Sequence, residues 1–113
     1  MIVRGEMLVE GTAAGAVFAL AEPLSFWGGF DSVTGKVIDH RHPDLGQCLT
    51  GRIVVVAAAR GSSSGSSVLA EAIRANTAPA GFVIATRDAI LTVGAQVAAE
   101  LYAIHCPIVC VSM

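Results

Sequence analysis

The sequence predicts an α/β domain with a β-rich N-terminal half and two C-terminal βαβ units, and three observations carry that reading. Apolar runs rich in β-branched residues, Ile53 to Val56, Phe82 to Ile84 and Ile108 to Val111, recur through the second half. The segments between them carry apolar residues at helical spacing. The first half contains no comparable helical stretch, and Gly5, Gly11 and Gly15 divide its apolar residues into short pieces. Continuous apolar strands that alternate with helices imply a parallel sheet covered by helices. Two consecutive right-handed crossovers follow from that order.

Taken in order, MIVRGEMLVEGTAAGAVFAL predicts short strands, and VTGKVID predicts a turn at Thr34 and Gly35. The connection LSFWGGFDSVTGKVIDHRHPDLGQCLTG joins the halves and carries the only tryptophan, Trp27, two of the three histidines, His40 and His42, and both Asp31 and Asp39. A connection of that length in a compact domain usually has a function or covers an interface. His40 and His42 read as residues of a solvated turn, and Trp27 as an interface anchor. The first long helix is predicted from Ser66 to Asn76, with Ser66 or Ser67 at its cap and Val68, Leu69, Ala72 and Ile73 on one face; TAPAG stops it. The second starts after Thr86 or Asp88 and ends near Tyr102, with Ile90, Leu91, Val97 and Leu101 turned inward.

At 113 residues the chain is the length of one domain, spanning 1–113. It is 54% hydrophobic and 14% charged, apolar for a domain that stands alone. A large contact with another chain accounts for that excess. The net charge is −2, with the seven Lys and Arg scattered singly, so neither a nucleic-acid surface nor an anionic-membrane surface is expected. No apolar run reaches the roughly 20 residues of a membrane span, and MIVRGEML lacks the form of a signal peptide. A cytoplasmic location is the expectation. Cys48, Cys106 and Cys110 are an odd number and fit no disulfide framework. Cys106 and Cys110, beside His105 in HCPIVC, read as structural thiols of a buried strand, and no metal site is expected.

The stretch RGSSSGSS, Arg60 to Ser67, follows the most apolar strand and opens the first long helix. A flexible linker does not suit that position, because βα loops are short and tightly placed, about 2 to 6 residues. A serine cap explains one hydroxyl of five. At the carboxyl end of a parallel strand, glycines let a ligand approach the backbone, and a helix N-terminus with Arg60 beside it favours an anion. The run lacks the lysine of a nucleotide-phosphate loop. Gly61-Ser62-Ser63-Ser64-Gly65 matches a hydrolase elbow formally, but His105 is the only downstream histidine.

At these residues the chain resembles the small, swivelling domain of the aconitase X family of iron–sulfur dehydratases. The resemblance is carried by PLSFWGGFDSVTGKVID, GQCLTGRIVVV, RGSSSGSSVL, NTAPAGFVI and AILTVGAQVAAELY, in that order and over nearly the whole chain. It implies a swivelling β/β/α three-layer fold and a role as the small subunit of a two-part hydro-lyase that is inactive without its large subunit, which bears the iron–sulfur cluster. It also implies that the first serine of the run, Ser62, accepts the proton in a dehydration. Arg60, Gly61, Ser63, Ser64 and Gly65 would then hold a small hydroxy acid, with the amides of Gly65 and Ser66 on its carboxylate. Two substrates are known for the family, cis-3-hydroxy-L-proline and mevalonate 5-phosphate; SFWGGFDSVTGKVIDHRHPDLGQ is closer in form to the first group. A mobile module that binds an anion or a partner without catalysis is the reading from another class. The alternative for Arg60 is a pair with a surface carboxylate, and caps and turns account for at least two of Ser63, Ser64, Ser66 and Ser67.

Overall fold

The computed structural model describes residues 2–112; Met1 and Met113 lie outside the described residues. Five strands form one sheet in the order β1-β5-β4-β3-β2, with β1 at Glu6–Val9, β2 at Val17–Ala19, β3 at Ile53–Val56, β4 at Gly81–Ile84 and β5 at Ile108–Cys110. Strands β2 to β5 run parallel, and β1 closes one edge antiparallel to β5. The β-branched runs therefore do what their composition predicts, since such side chains pack well on a pleated surface. Helix α2 spans Gly65–Arg74 between β3 and β4, and α3 spans Ala89–Tyr102 between β4 and β5. The two helices pack against each other, as crossovers of one hand along a sequentially ordered sheet require.

Register explains which face is core. Val54, Phe82 and Ile108 lie side by side across β3, β4 and β5 and are all buried, as are Val56 and Ile84 one step along. The alternate row, Val55, Val83 and Val109, points the other way and is only partly buried. The helices thus cover one face of the sheet, where the apolar strands had predicted cover in general.

The helix boundaries differ modestly from those predicted, and the inward faces differ more. Helix α2 begins one residue earlier and ends at Arg74, with Asn76 in the left-handed region (φ 62) just beyond. Leu69, Ala72 and Ile73 are buried as expected, and Val68 packs at the edge of the core. In α3, Leu91 is buried, but Val97 and Leu101 face outward, Leu101 being 67% exposed. The buried stripe is Leu91, Gly94, Ala95 and Ala98. A side chain on Gly94 would meet the Ser66 carbonyl oxygen at 2.7 Å, so small residues win this face because α2 lies against it.

The long connection is packed as part of the core. It contains a distorted turn of helix, α1 (Phe26–Gly29), and short antiparallel bridges, Phe30 to Val37 and Lys36 to Cys48. Phe26 stacks on Phe30 at 4.7 Å between ring centroids and meets Phe82 edge-on at 5.9 Å; Leu24, Val37 and Leu49 are fully enclosed. The predicted turn at Thr34 and Gly35 is present, closed by the Gly35 N–H on the Asp31 carbonyl. The Asp31 carboxylate accepts from the Val33 amide and the Thr34 hydroxyl, which holds its pKa below the ordinary value.

His42 corrects a second expectation, because it is buried and not solvated. The Asp44 N–H donates to its Nδ1 at 3.0 Å, which leaves Nε2 to carry the hydrogen and donate to the Glu22 carbonyl, also at 3.0 Å. The ring thus ties the HRHP turn to the segment leaving β2. His40 is exposed.

Candidate functional site

The serine run occupies the loop from the carboxyl end of β3 into α2, residues 57–64, slightly longer than the usual βα connection. Three features of the α1 segment fix its course. Leu24 forms a parallel bridge with Ala59. Gly61, at φ +89, turns directly over Ser25, where any side chain on Gly61 would collide with the Ser25 hydroxymethyl group. Gly65 packs against Phe26 and the Trp27 amide, leaving no room to spare for a Cβ beside Ile90 at 3.1 Å. On the other side the Ala57 carbonyl accepts from the amides of both Ala85 and Thr86, which joins the loop to the one that follows β4.

Within this frame the serines separate. The Ser62 Oγ accepts a hydrogen bond from the Ser64 N–H at 3.1 Å, and both residues are exposed. The Ser66 hydroxyl donates to the Ile90 carbonyl at 2.7 Å and so binds α2 to α3. Ser64 is the N-cap residue by position, without a capping bond from its side chain. Neither Ser66 nor Ser67 caps the helix as predicted, because the helix starts before them.

The amides also separate, and here the sequence reading needs correction. Gly65 N–H donates to the Ser62 carbonyl and Ser66 N–H to the Ser63 carbonyl, at 3.0 and 3.1 Å, so a tight entry turn already uses both. Within the loop, the amides of Gly61, Ser62 and Ser63 meet no protein acceptor. The free donors therefore lie one turn earlier than expected, on either side of the Ser62 hydroxyl.

Arg60 is 47% exposed, with its Nη2 4.0 Å from the Asp39 Oδ2, whose side chain is 28% exposed. An exposed pair at that separation adds less than about 1 kcal/mol to stability. The acidic neighbour was not recognised from the sequence; its signal was the turn itself, since the other Asp39 oxygen accepts the Arg41 N–H at 2.9 Å.

The cysteines lie apart from this loop. The Cys106 Sγ is buried against the Pro79 carbonyl, and burial pushes its pKa up to about 12. Cys48, half-buried near Thr34, has a lowered pKa, first through hydrogen bonding with the Thr50 hydroxyl and then its amide. Among the described residues no three His, Cys, Asp or Glu side chains come together as a metal site. No helix of the described residues is long and apolar enough to cross a membrane.

Fold and loop together define an α/β domain with a serine-rich turn at the carboxyl edge of its parallel strands, the usual ligand edge of such sheets. The chain belongs to the aconitase X swivel domain family, whose pattern it matches over residues 2–112. It is 45% identical over 103 residues to the cis-3-hydroxy-L-proline dehydratase of Pseudomonas aeruginosa, an alignment covering 91% of this chain and 18% of that enzyme. It is 44% identical over 86 residues to the phosphomevalonate dehydratase small subunit of Methanopyrus kandleri, covering 76% of this chain and 64% of that subunit. The holo-form structure of Thermococcus kodakaraensis aconitase X superimposes with a TM-score of 0.86 at 32% identity, covering 96% of this chain and 78% of that one. The chain thus spans about a fifth of the first enzyme and under two thirds of the second protein.

Proposed function

We propose that this chain is the swivel component of a two-part hydro-lyase, in which Ser62 removes the proton and a large partner subunit completes the active site. The single observation that carries the reading is the Ser64 N–H directed at the Ser62 Oγ at 3.1 Å. A donor on that oxygen favours its deprotonated form, and Arg60 and the α2 N-terminus act in the same direction. The free amides of Gly61 and Ser63 suit a substrate carboxylate beside it.

The chemistry is a β-elimination. Ser62, as the alkoxide, takes the proton from the carbon next to the carboxylate; that C–H pair becomes the new double bond, and the hydroxyl on the next carbon leaves with its electrons. Ser62, left protonated, passes that proton to the departing hydroxide, so that water is lost overall and the alkoxide returns. The departing hydroxide needs an electrophile. We assign that part of the chemistry, with the iron–sulfur cluster, to the large subunit and no metal to this chain.

The need for a partner also has support in surface and shape. Arg60 to Ser64 are all exposed, so an alkoxide there would stand in water until a second surface closes over it. Met7, Val17, Trp27, Val93, Val97 and Leu101 add exposed apolar area. Dehydratase is the activity in the names of both curated relatives.

As substrate we propose cis-3-hydroxy-L-proline, supported by the alignment over 91% of the chain. The 44% identity to a phosphomevalonate dehydratase small subunit favours mevalonate 5-phosphate as the second reading. Both carry a hydroxyl on the carbon β to a carboxylate, so Ser62 has the same task in either. The chain co-expressed with its large partner should dehydrate the hydroxyproline, and the chain alone should dehydrate neither compound. Turnover of mevalonate 5-phosphate alone would replace the first substrate with the second, and turnover of neither by the pair would leave a binding module.

A further inference from the structure

We propose that Asp39 is a positioning residue for the serine loop: its carboxylate orients the Arg60 guanidinium without consuming the donors that Arg60 would offer a substrate anion. This role rests on the assignment of Arg60 to substrate binding. Asp39 is held from several sides. Its Oδ1 accepts the Arg41 N–H at 2.9 Å, and its carbonyl accepts the His42 N–H at 3.0 Å. Its Cβ is close to Gly29, where an added methyl would come within 3.6 Å. The turn it belongs to is anchored by the buried His42 ring, bonded to the Glu22 carbonyl and the Asp44 amide.

That leaves Oδ2 as the one carboxylate oxygen free to face Arg60, at 4.0 Å from Nη2. The separation decides the role. It is too long for a hydrogen bond, so every N–H of the guanidinium stays available, yet short enough for the charge to bias the rotamers of a flexible side chain. A structural ion pair would close to hydrogen-bond distance, as Arg74 does, its Nε donating to both oxygens of Glu71 at 2.6 and 3.1 Å. To the contacts that Leu24, Ser25, Phe26 and Trp27 make with the serine loop, the long connection thereby adds Asp39 opposite Arg60.

The test has two arms. In the full chain alone, the heteronuclear NOE of the Arg60 Nε–Hε pair should report an ordered side chain, and Asp39→Asn should make it mobile while the melting temperature stays near that of the wild type. With the large partner present, Asp39→Asn should lower kcat/KM roughly threefold, and the effect should vanish in an Arg60→Ala background. An Arg60 side chain equally mobile with and without Asp39 overturns the proposal, whatever the enzyme does. So does a kinetic loss that adds to that of Arg60→Ala, or a gain in kcat/KM, which would make Asp39 a competitor for the cation. If Asp39 orders Arg60 but the assembled protein has no dehydratase activity, the positioning role stands and the assigned function falls.

Discussion

Ser62 and Ser66 are four residues apart and chemically identical, yet the fold gives them opposite uses. One oxygen accepts a backbone N–H at an exposed turn, and the other donates across a helix pair. Which serine does which was not legible from RGSSSGSS, because the difference lies in where α2 starts and what α3 presents to it. The Gly61 requirement was legible as loop chemistry, but its partner Ser25, far away in sequence, was not. The thiols also differ by surroundings alone. A lowered pKa raises the thiolate fraction at a given pH, and a raised one suppresses it, so Cys48 should react with iodoacetamide well ahead of Cys106 between roughly pH 7 and 9. Peptide mapping after timed alkylation reads this directly, and equal labelling in the native state would contradict the buried setting of Cys106.

At the scale of elements, strands were easier to read than helix faces. Ile53 to Val56 could be identified because β-branched residues leave few alternatives, and the strand falls on those residues. In α3 almost every position is apolar or small, so periodicity could not tell which side faces the sheet. The large Val97 and Leu101 suggested one face, while the close approach of α2 selected Gly94, Ala95 and Ala98. The two choices differ in what substitutions should do. Gly94→Val must push α2 away and should cost about 1–3 kcal/mol, whereas Val97→Ser on the outer face should stay within about 0.5 kcal/mol. Urea unfolding of both variants in the isolated chain measures this, and a large loss for Val97→Ser would return that side chain to the core. The long connection was read for a function or an interface, and that Leu24, Phe26 and Phe30 also supply core was not legible at this scale. Alternation in a segment that crosses from one layer to another has no single period to detect.

For the whole molecule, an apolar composition predicted a partner before any fold was known, and the half-covered sheet, the outer face of α3 and the open serine loop are where that composition surfaces. The fold class was legible from strand and helix alternation; the expectation of a second chain came from the apolar composition. The proposed proton acceptor could be named only by resemblance, and the turn adds a physical argument for the proposal in the Ser64 amide. The central claim is that this domain contributes a base, not merely a surface. The most direct measurement is turnover by the complex with the large subunit carrying Ser62→Ala. The variant should assemble with its partner and bind substrate while kcat falls by at least about a hundredfold, the size expected for loss of a general base. Turnover near the wild-type rate in that complex would remove Ser62 from the chemistry and leave the domain a closing surface.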